Sequence, residues 1–154
     1  MSNELIIRPV EKPDFESWQA LWQDYNAFYG REGKTALATE IIETTWSRFF
    51  DAYEPVYAFV AEEAGSLLGL VHFLYHRSMI SIAPSCYLQD LFTIESARGK
   101  GVGRHLIQAV YDHAYAAGSS RVYWHTQETN ETAMKLYDKV ADHTEFIVYS
   151  KTLK

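Results

Sequence analysis

The chain has 154 residues and 17.7 kDa, the length of one domain. Its 47% hydrophobic and 15% aromatic content supplies a core without disulfides or a structural metal and excludes intrinsic disorder. The net charge is −6: residues 1–77 hold 6 basic against 12 acidic side chains, and residues 78–154 balance at 8 and 8, with bases gathered at Arg98, Lys100 and Arg104. An acidic surface repels nucleic acid, whereas a local knot of bases suits a small anion. The longest nearly apolar run, residues 67–75, is too short to span a bilayer and carries His72. The start, Met1-Ser2-Asn3-Glu4, has neither a basic region nor a hydrophobic leader, and Cys86 is a single cysteine. The expectation is a cytoplasmic protein, one domain over residues 1–154, whose partner is a small molecule and neither nucleic acid nor membrane.

Ile6, Ile7, Arg8, Pro9 and Val10 read as a short first strand. Pro13, followed by Asp14 and Glu16, marks a helix start, since proline suits the first turn and acids complement its dipole. Phe15, Trp18, Leu21, Trp22, Tyr25, Phe28 and Tyr29 then recur at three- and four-residue spacing, a wide aromatic face that Gly30 and Gly33 end. A second helix is predicted from Thr39 to about Phe50, with Ile42, Trp46, Phe49 and Phe50 inward. Strands over 56–62 and 67–75 flank a short turn containing Gly65, a hairpin signal, and a further strand over 85–94 is apolar enough to be buried on both faces. A helix follows from Gly101 to Ala117, stopped by Gly118. A strand over 121–126, a helix over 131–140 and a closing strand over 146–151 complete the order β-α-α-β-β-β-α-β-α-β. The predicted fold is a mixed α/β sheet with helices on its faces, antiparallel at hairpins and parallel across helical crossovers.

Between the 85–94 strand and the long helix lies Arg98-Gly99-Lys100-Gly101-Val102-Gly103-Arg104. Glycines let a backbone approach a ligand closely, and the free N–H groups of a helix's first turn suit a phosphate. The dinucleotide fingerprint fails because Arg104 occupies its last glycine position, and the P-loop fails for want of Gly-Lys-Ser/Thr. A turn tightened only for packing is the alternative reading of the loop. On the next helix Asn130 and Tyr137 are seven residues apart, so they share a face at ~10 Å along the axis. Ala133 between them leaves room for a ligand chain. Singly, Asn130 reads as a helix cap and Tyr137 as a surface tyrosine.

The pattern Arg98-x-x-Gly101-x-Gly103, together with Asn130 to Tyr137 and the element order, resembles the Gcn5-related N-acetyltransferase superfamily. The resemblance implies that the loop, with Gly99, Lys100, Val102 and Arg104, binds the pyrophosphate of acetyl-coenzyme A, with no metal. It implies that Asn130 and Ala133 meet the pantetheine arm and that the Tyr137 hydroxyl protonates the departing thiolate. Main-chain groups of Leu91, Phe92 and Thr93 are implied to steady the thioester oxyanion. A phenol (~10) and a thiol (~8.5) have ordinary pKa values close enough for that transfer. A homodimer, through the 146–151 strand, is a further implication.

Tyr87 to Thr93 is similar to the corresponding strand of polyamine and diamine acetyltransferases, and Val122 to Thr126 to a fungal branch known for histones, polyamines and D-amino acids. Polyamine enzymes carry a glutamate where this chain has Gln89, and an amide is no base at neutral pH. Asp90, Glu32 and His125 are the remaining candidates to take the acceptor's proton. Strict strand alternation puts Asp90 opposite Gln89. Tyr25, Tyr29 and Glu32, at the end of the first helix, are the aromatic and acidic groups that suit a cationic amine, or else they complete a core stripe. The acceptor expected is a small cationic amine such as a polyamine or diamino acid. A protein lysine or N-terminal amine is the enzyme alternative, and a non-catalytic acyl-coenzyme A binder the other.

Overall fold

The computed structural model describes residues 4–153. Strand β1 (Ile6–Pro9) enters a 3-10 turn (Lys12–Asp14) and then α1 (Phe15–Phe28). Pro13 therefore starts the 3-10 turn, and the α-helix begins two residues later. Helix α2 (Thr39–Arg48) precedes three strands, β2 (Val56–Glu63), β3 (Ser66–His76) and β4 (Ser85–Thr93). Helix α3 (Val102–Ala116), the short β5 (Val122–Tyr123) and α4 (Glu131–Val140) follow. The sheet runs β1-β2-β3-β4-β5, antiparallel at every pair except the parallel β4–β5 pair. The β2–β3 hairpin turns on Ala64 and Gly65, both left-handed at φ 51° and 80°.

Helices cover both faces. On one, Trp18, Leu21, Trp22 and Tyr25 of α1 and Ile42 of α2 pack with Ala58, Val60 and Leu70 of the sheet. On the other, Val102, Leu106, Ile107, Val110 and Ala114 of α3 pack on Val71, Phe73, Cys86 and Leu88, with Leu136, Tyr137 and Val140 of α4 at the margin. The aromatic stripe of α1 is thus mostly core, with Trp18 wholly buried.

Strand β4 does not alternate strictly. His72 pairs with Asp90 but the neighbouring Phe73 pairs with Leu88, so Gln89 is an extra, bulged residue. Leu88 and Leu91, three apart, consequently lie in the α3-side core, while Phe92 lies in the α1-side core. The bulge turns Asp90 toward α1, where it is buried, and leaves Gln89 exposed. Asp90 therefore joins the α1 side with Tyr25, which the strict alternation expected from sequence did not provide.

The closing strand expected over 146–151 is not formed. Among the described residues the last main-chain bond is Ala141 N–H to Tyr137 O, at 2.9 Å, and none involves residues 142–153. Phe146 and Tyr149 are each 90% exposed. The expected strand over 121–126 shrinks to two paired residues, since β4 and β5 diverge beyond Tyr87 and Tyr123.

Candidate active site

The divergence of β4 and β5 makes the first half of the site. Their pairing is confined to Cys86 with Val122 and Tyr87 with Tyr123. From Gln89 to Thr93 the β5-facing edge of β4 meets no strand, and Leu91, Phe92 and Thr93 are half-buried along it. The chain then turns through Glu95–Ala97 into the glycine loop and α3. Gly99 and Gly101 are left-handed, at φ 78° and 83°, and Gly101 caps α3 with no side chain over its first amides.

Packing does not explain these two glycines. A Cβ on Gly99 would meet nothing within 4 Å, so what glycine supplies there is the backbone angle. Gly103 differs in lying beside α4: a Cβ there would stand 3.4 Å from the end of the Leu136 side chain, ordinary contact. Arg98 is pinned across the end of β4, its Nε donating to the Thr93 carbonyl at 3.1 Å. Lys100 and Arg104 are exposed, and among the described residues no carboxylate lies within 4.0 Å of either. Open amides at a helix start beside unneutralised bases fit a diphosphate.

Helix α4 supplies the second half. Asn130 stands at its N-cap position but its side chain makes no capping bond, so the amide is not spent on the helix. Tyr137 rests against the Trp124 ring, with centroids 5.3 Å apart. Burial pushes its hydroxyl up to about 12, and the nearby Tyr29 phenol adds to the shift. Tyr137 is therefore a phenol that keeps its proton, set between α3 and the tyrosines of α1.

Those tyrosines lead to a buried polar chain. Tyr25 and Tyr29 pack with ring centroids 5.0 Å apart. Burial, and next the Asp90 carboxylate to which it is bonded, hold the Tyr25 hydroxyl well above the ordinary phenol range. Asp90 Oδ2 meets His72 Nδ1 at 2.8 Å, and the Trp18 indole N–H donates to His72 Nε2 at 2.9 Å. An indole only donates, so His72 Nε2 must accept, and the ring proton sits on Nδ1, facing Asp90. His72 thus bridges the two, donating from Nδ1 to Asp90 and accepting from Trp18 at Nε2.

The remaining predicted residues divide. His125 is exposed, with Nδ1 3.3 Å from the Tyr87 hydroxyl, in an aromatic cluster with Tyr123. Glu32 is exposed at the start of the Gly33–Thr35 turn and lines a cavity of about 300 Å³ between α1 and α2, together with Asn26 and Arg31. No contact joins Glu32 to the tyrosines. Sequence reading missed His72, Trp18 and Arg31. In the sequence His72 shows only as a polar break in an apolar run, and its partner Trp18 lies 54 residues away.

Comparison with known proteins places this geometry. A model of the "Acetyltransferase (GNAT) family" matches residues 18–141. The chain belongs to the GNAT acetyltransferase family. It is an N-acetyltransferase of a family that uses acetyl-coenzyme A. It is 35% identical to the D-amino-acid N-acetyltransferase HPA3 of Saccharomyces cerevisiae, over 98% of this chain and 92% of that one. Among solved structures it resembles AAC(6')-Iy in complex with a coenzyme A bisubstrate analogue, at TM-score 0.82 and 18% identity over 98% of this chain and 99% of that one. It also resembles a ribosomal-protein-alanine N-acetyltransferase from Brucella melitensis, at TM-score 0.77 and 19% identity over 97% and 100% of the two chains. GNAT structures this distant share the fold alone, and the names span small-molecule and protein acceptors. Among the described residues no helix is long and apolar enough to cross a membrane.

Proposed function

We propose that this GNAT protein transfers acetyl from acetyl-coenzyme A to the amine of a small cationic acceptor, a diamino or amino-acid-sized molecule, by direct attack without an acyl-enzyme. The observation that carries the reading is Tyr137. A protonated phenol packed on the α3-side core, one face against Trp124, is placed to give its proton to a departing thiolate. The glycine-loop amides with Lys100 and Arg104 hold the diphosphate, Asn130 and Ala133 line the pantetheine arm, and the free edge of β4 at Leu91, Phe92 and Thr93 offers N–H groups to the developing oxyanion. Tyr25 and Tyr29 form the acceptor's aromatic wall, with Asp90 as the anion behind it. Gln89 is exposed but, as an amide, takes no proton. His125 is the candidate base that water reaches, and Asp90 lies buried behind Tyr25.

The small-acceptor reading is supported by the name of the yeast relative, a D-amino-acid N-acetyltransferase. Thiol release from acetyl-coenzyme A, measured over amino acids, polyamines and lysine peptides, tests it: activity confined to peptides rejects it. Tyr137→Phe tests the acid. We expect kcat to fall about 10- to 100-fold with coenzyme affinity by calorimetry nearly intact. Unchanged kcat removes Tyr137 from the mechanism.

A further inference from the structure

Arg31 stands just beyond α1 and is fixed twice. Its backbone N–H donates to Asn26 O at 2.8 Å, and its Nε donates to Asn26 Oδ1 at 2.7 Å. Asn26 is 4% exposed and is itself held, its Nδ2 donating to Trp22 O at 2.8 Å. The guanidinium carbon lies 5.6 Å from the Tyr29 ring centroid, on the aromatic wall assigned to the acceptor. With Nε spent on Asn26, the two terminal nitrogens stay available. Among the described residues no carboxylate comes within 4.0 Å of them, although Asp24 and Glu32 line the same cavity.

Arg8 and Arg48, elsewhere in residues 1–77, do meet carboxylates: Arg8 meets Glu11, Asp14 and Glu62, and Arg48 meets Glu54. A half-buried guanidinium oriented by a buried amide, with its paired donors free, is preorganised for a planar anion. Asp90, by contrast, is buried and engaged, its Oδ2 accepting from His72 Nδ1 at 2.8 Å with Tyr25 close by. Tyr25 lies against Asp90 and packs on Tyr29, over whose ring Arg31 sits. Asp90 is sealed behind that wall, so the group left open to a ligand is the Arg31 guanidinium, which a ligand carboxylate satisfies.

We infer that Arg31 binds the carboxylate of the acceptor and that the acceptor class is therefore the free amino acid, diamino acids included, in preference to polyamines. This rests on the acetyl-transfer reading above. Arg31 acts on specificity and leaves the acetyl-transfer chemistry to other groups.

The test compares pairs that differ only by the carboxylate: lysine of either hand with 1,5-diaminopentane, and phenylalanine of either hand with phenethylamine. Thiol release by the full chain gives kcat/KM for each. We expect the better amino acid to exceed its carboxylate-free partner by about 10- to 100-fold. Arg31→Gln should bring that ratio to within about threefold of one, and Arg31→Lys should restore part of it. The ratio is independent of how much of a variant is folded, because both acceptors meet the same enzyme. A ratio unmoved by Arg31→Gln overturns the inference, as does a wild-type preference for the carboxylate-free amines, and both leave acetyl transfer standing. Absence of thiol release with every acceptor overturns the acetyl-transfer reading itself and this inference with it.

Discussion

Whether Tyr137 serves as an acid or a base is set by what surrounds it. Trp124 covers the ring, burial pushes the hydroxyl up to about 12, and Tyr29 opposes a second phenolate nearby. A raised value keeps the protonated form through neutral and mildly alkaline pH and loses it only as pH climbs through about 12. With both substrates saturating, kcat should therefore show no falling limb between about pH 7 and 10. A limb falling near pH 8 that disappears in Tyr137→Phe would contradict the assignment. Asn130 and Tyr137 were legible in the sequence because seven residues on a helix fix a shared face, a purely local matter. Asp90 was misread because one bulged residue at Gln89 reverses the faces, and nothing in a period of two announces a bulge. The Trp18–His72–Asp90 chain and Arg31 were illegible for a related reason: partners 54 residues apart, or fixed by a buried amide in a loop without a motif, leave no spacing to read.

At the scale of elements, the junction of β1, α1 and β2 is held by charge. Arg8 gives Nη1 and Nη2 to the two oxygens of Asp14 at 2.8 and 2.9 Å and reaches Glu62 at 3.3 Å. The hydrogen bond from Arg8 is the largest cause holding the Asp14 carboxyl below the ordinary range, against burial, which raises it. A depressed carboxylate stabilises the fold at pH above its unfolded value of ~3.9 and loses that contribution as pH falls through the lower folded value. Asp14→Asn should cost about 1–2 kcal/mol in urea unfolding at pH 7. The gap from wild type should narrow as pH drops from about 5 toward 3, and a gap constant with pH would show that the carboxylate charge is not responsible. Most elements here were readable: the α4 limits agree, and β2, β3 and β4 shift by a residue at most, because periodicity and turn residues both marked them. The exceptions are β5 and the closing strand. Alternation can mark a segment as strand-like, but it does not say whether an edge is available to pair with it.

That missing edge becomes an argument about the whole molecule. Residues 146–149, Phe-Ile-Val-Tyr, are 65–90% exposed, and among the described residues no main-chain bond involves 142–153. Strand β5, at the edge of the sheet, is paired on one side only. A contiguous run of large apolar side chains left in water is costly, since burying each contributes about 1.5–3 kcal/mol. An unpaired strand edge is likewise a template for another segment. The two needs answer each other, but within this chain they do not meet. A second copy would supply both at once, were each tail to add to the β5 edge of its partner, and two-fold symmetry would close the exchange. Light scattering should then give twice the 17.7 kDa chain mass, and a chain ending at Ala141 should give a single-chain mass. The truncated protein should also lose stability beyond the tail's own contacts, because the β5 edge beside Trp124 and Tyr137 is uncovered. If full and truncated chains both run as single chains, the tail closes on its own β5, and if both run as dimers, a different surface joins them.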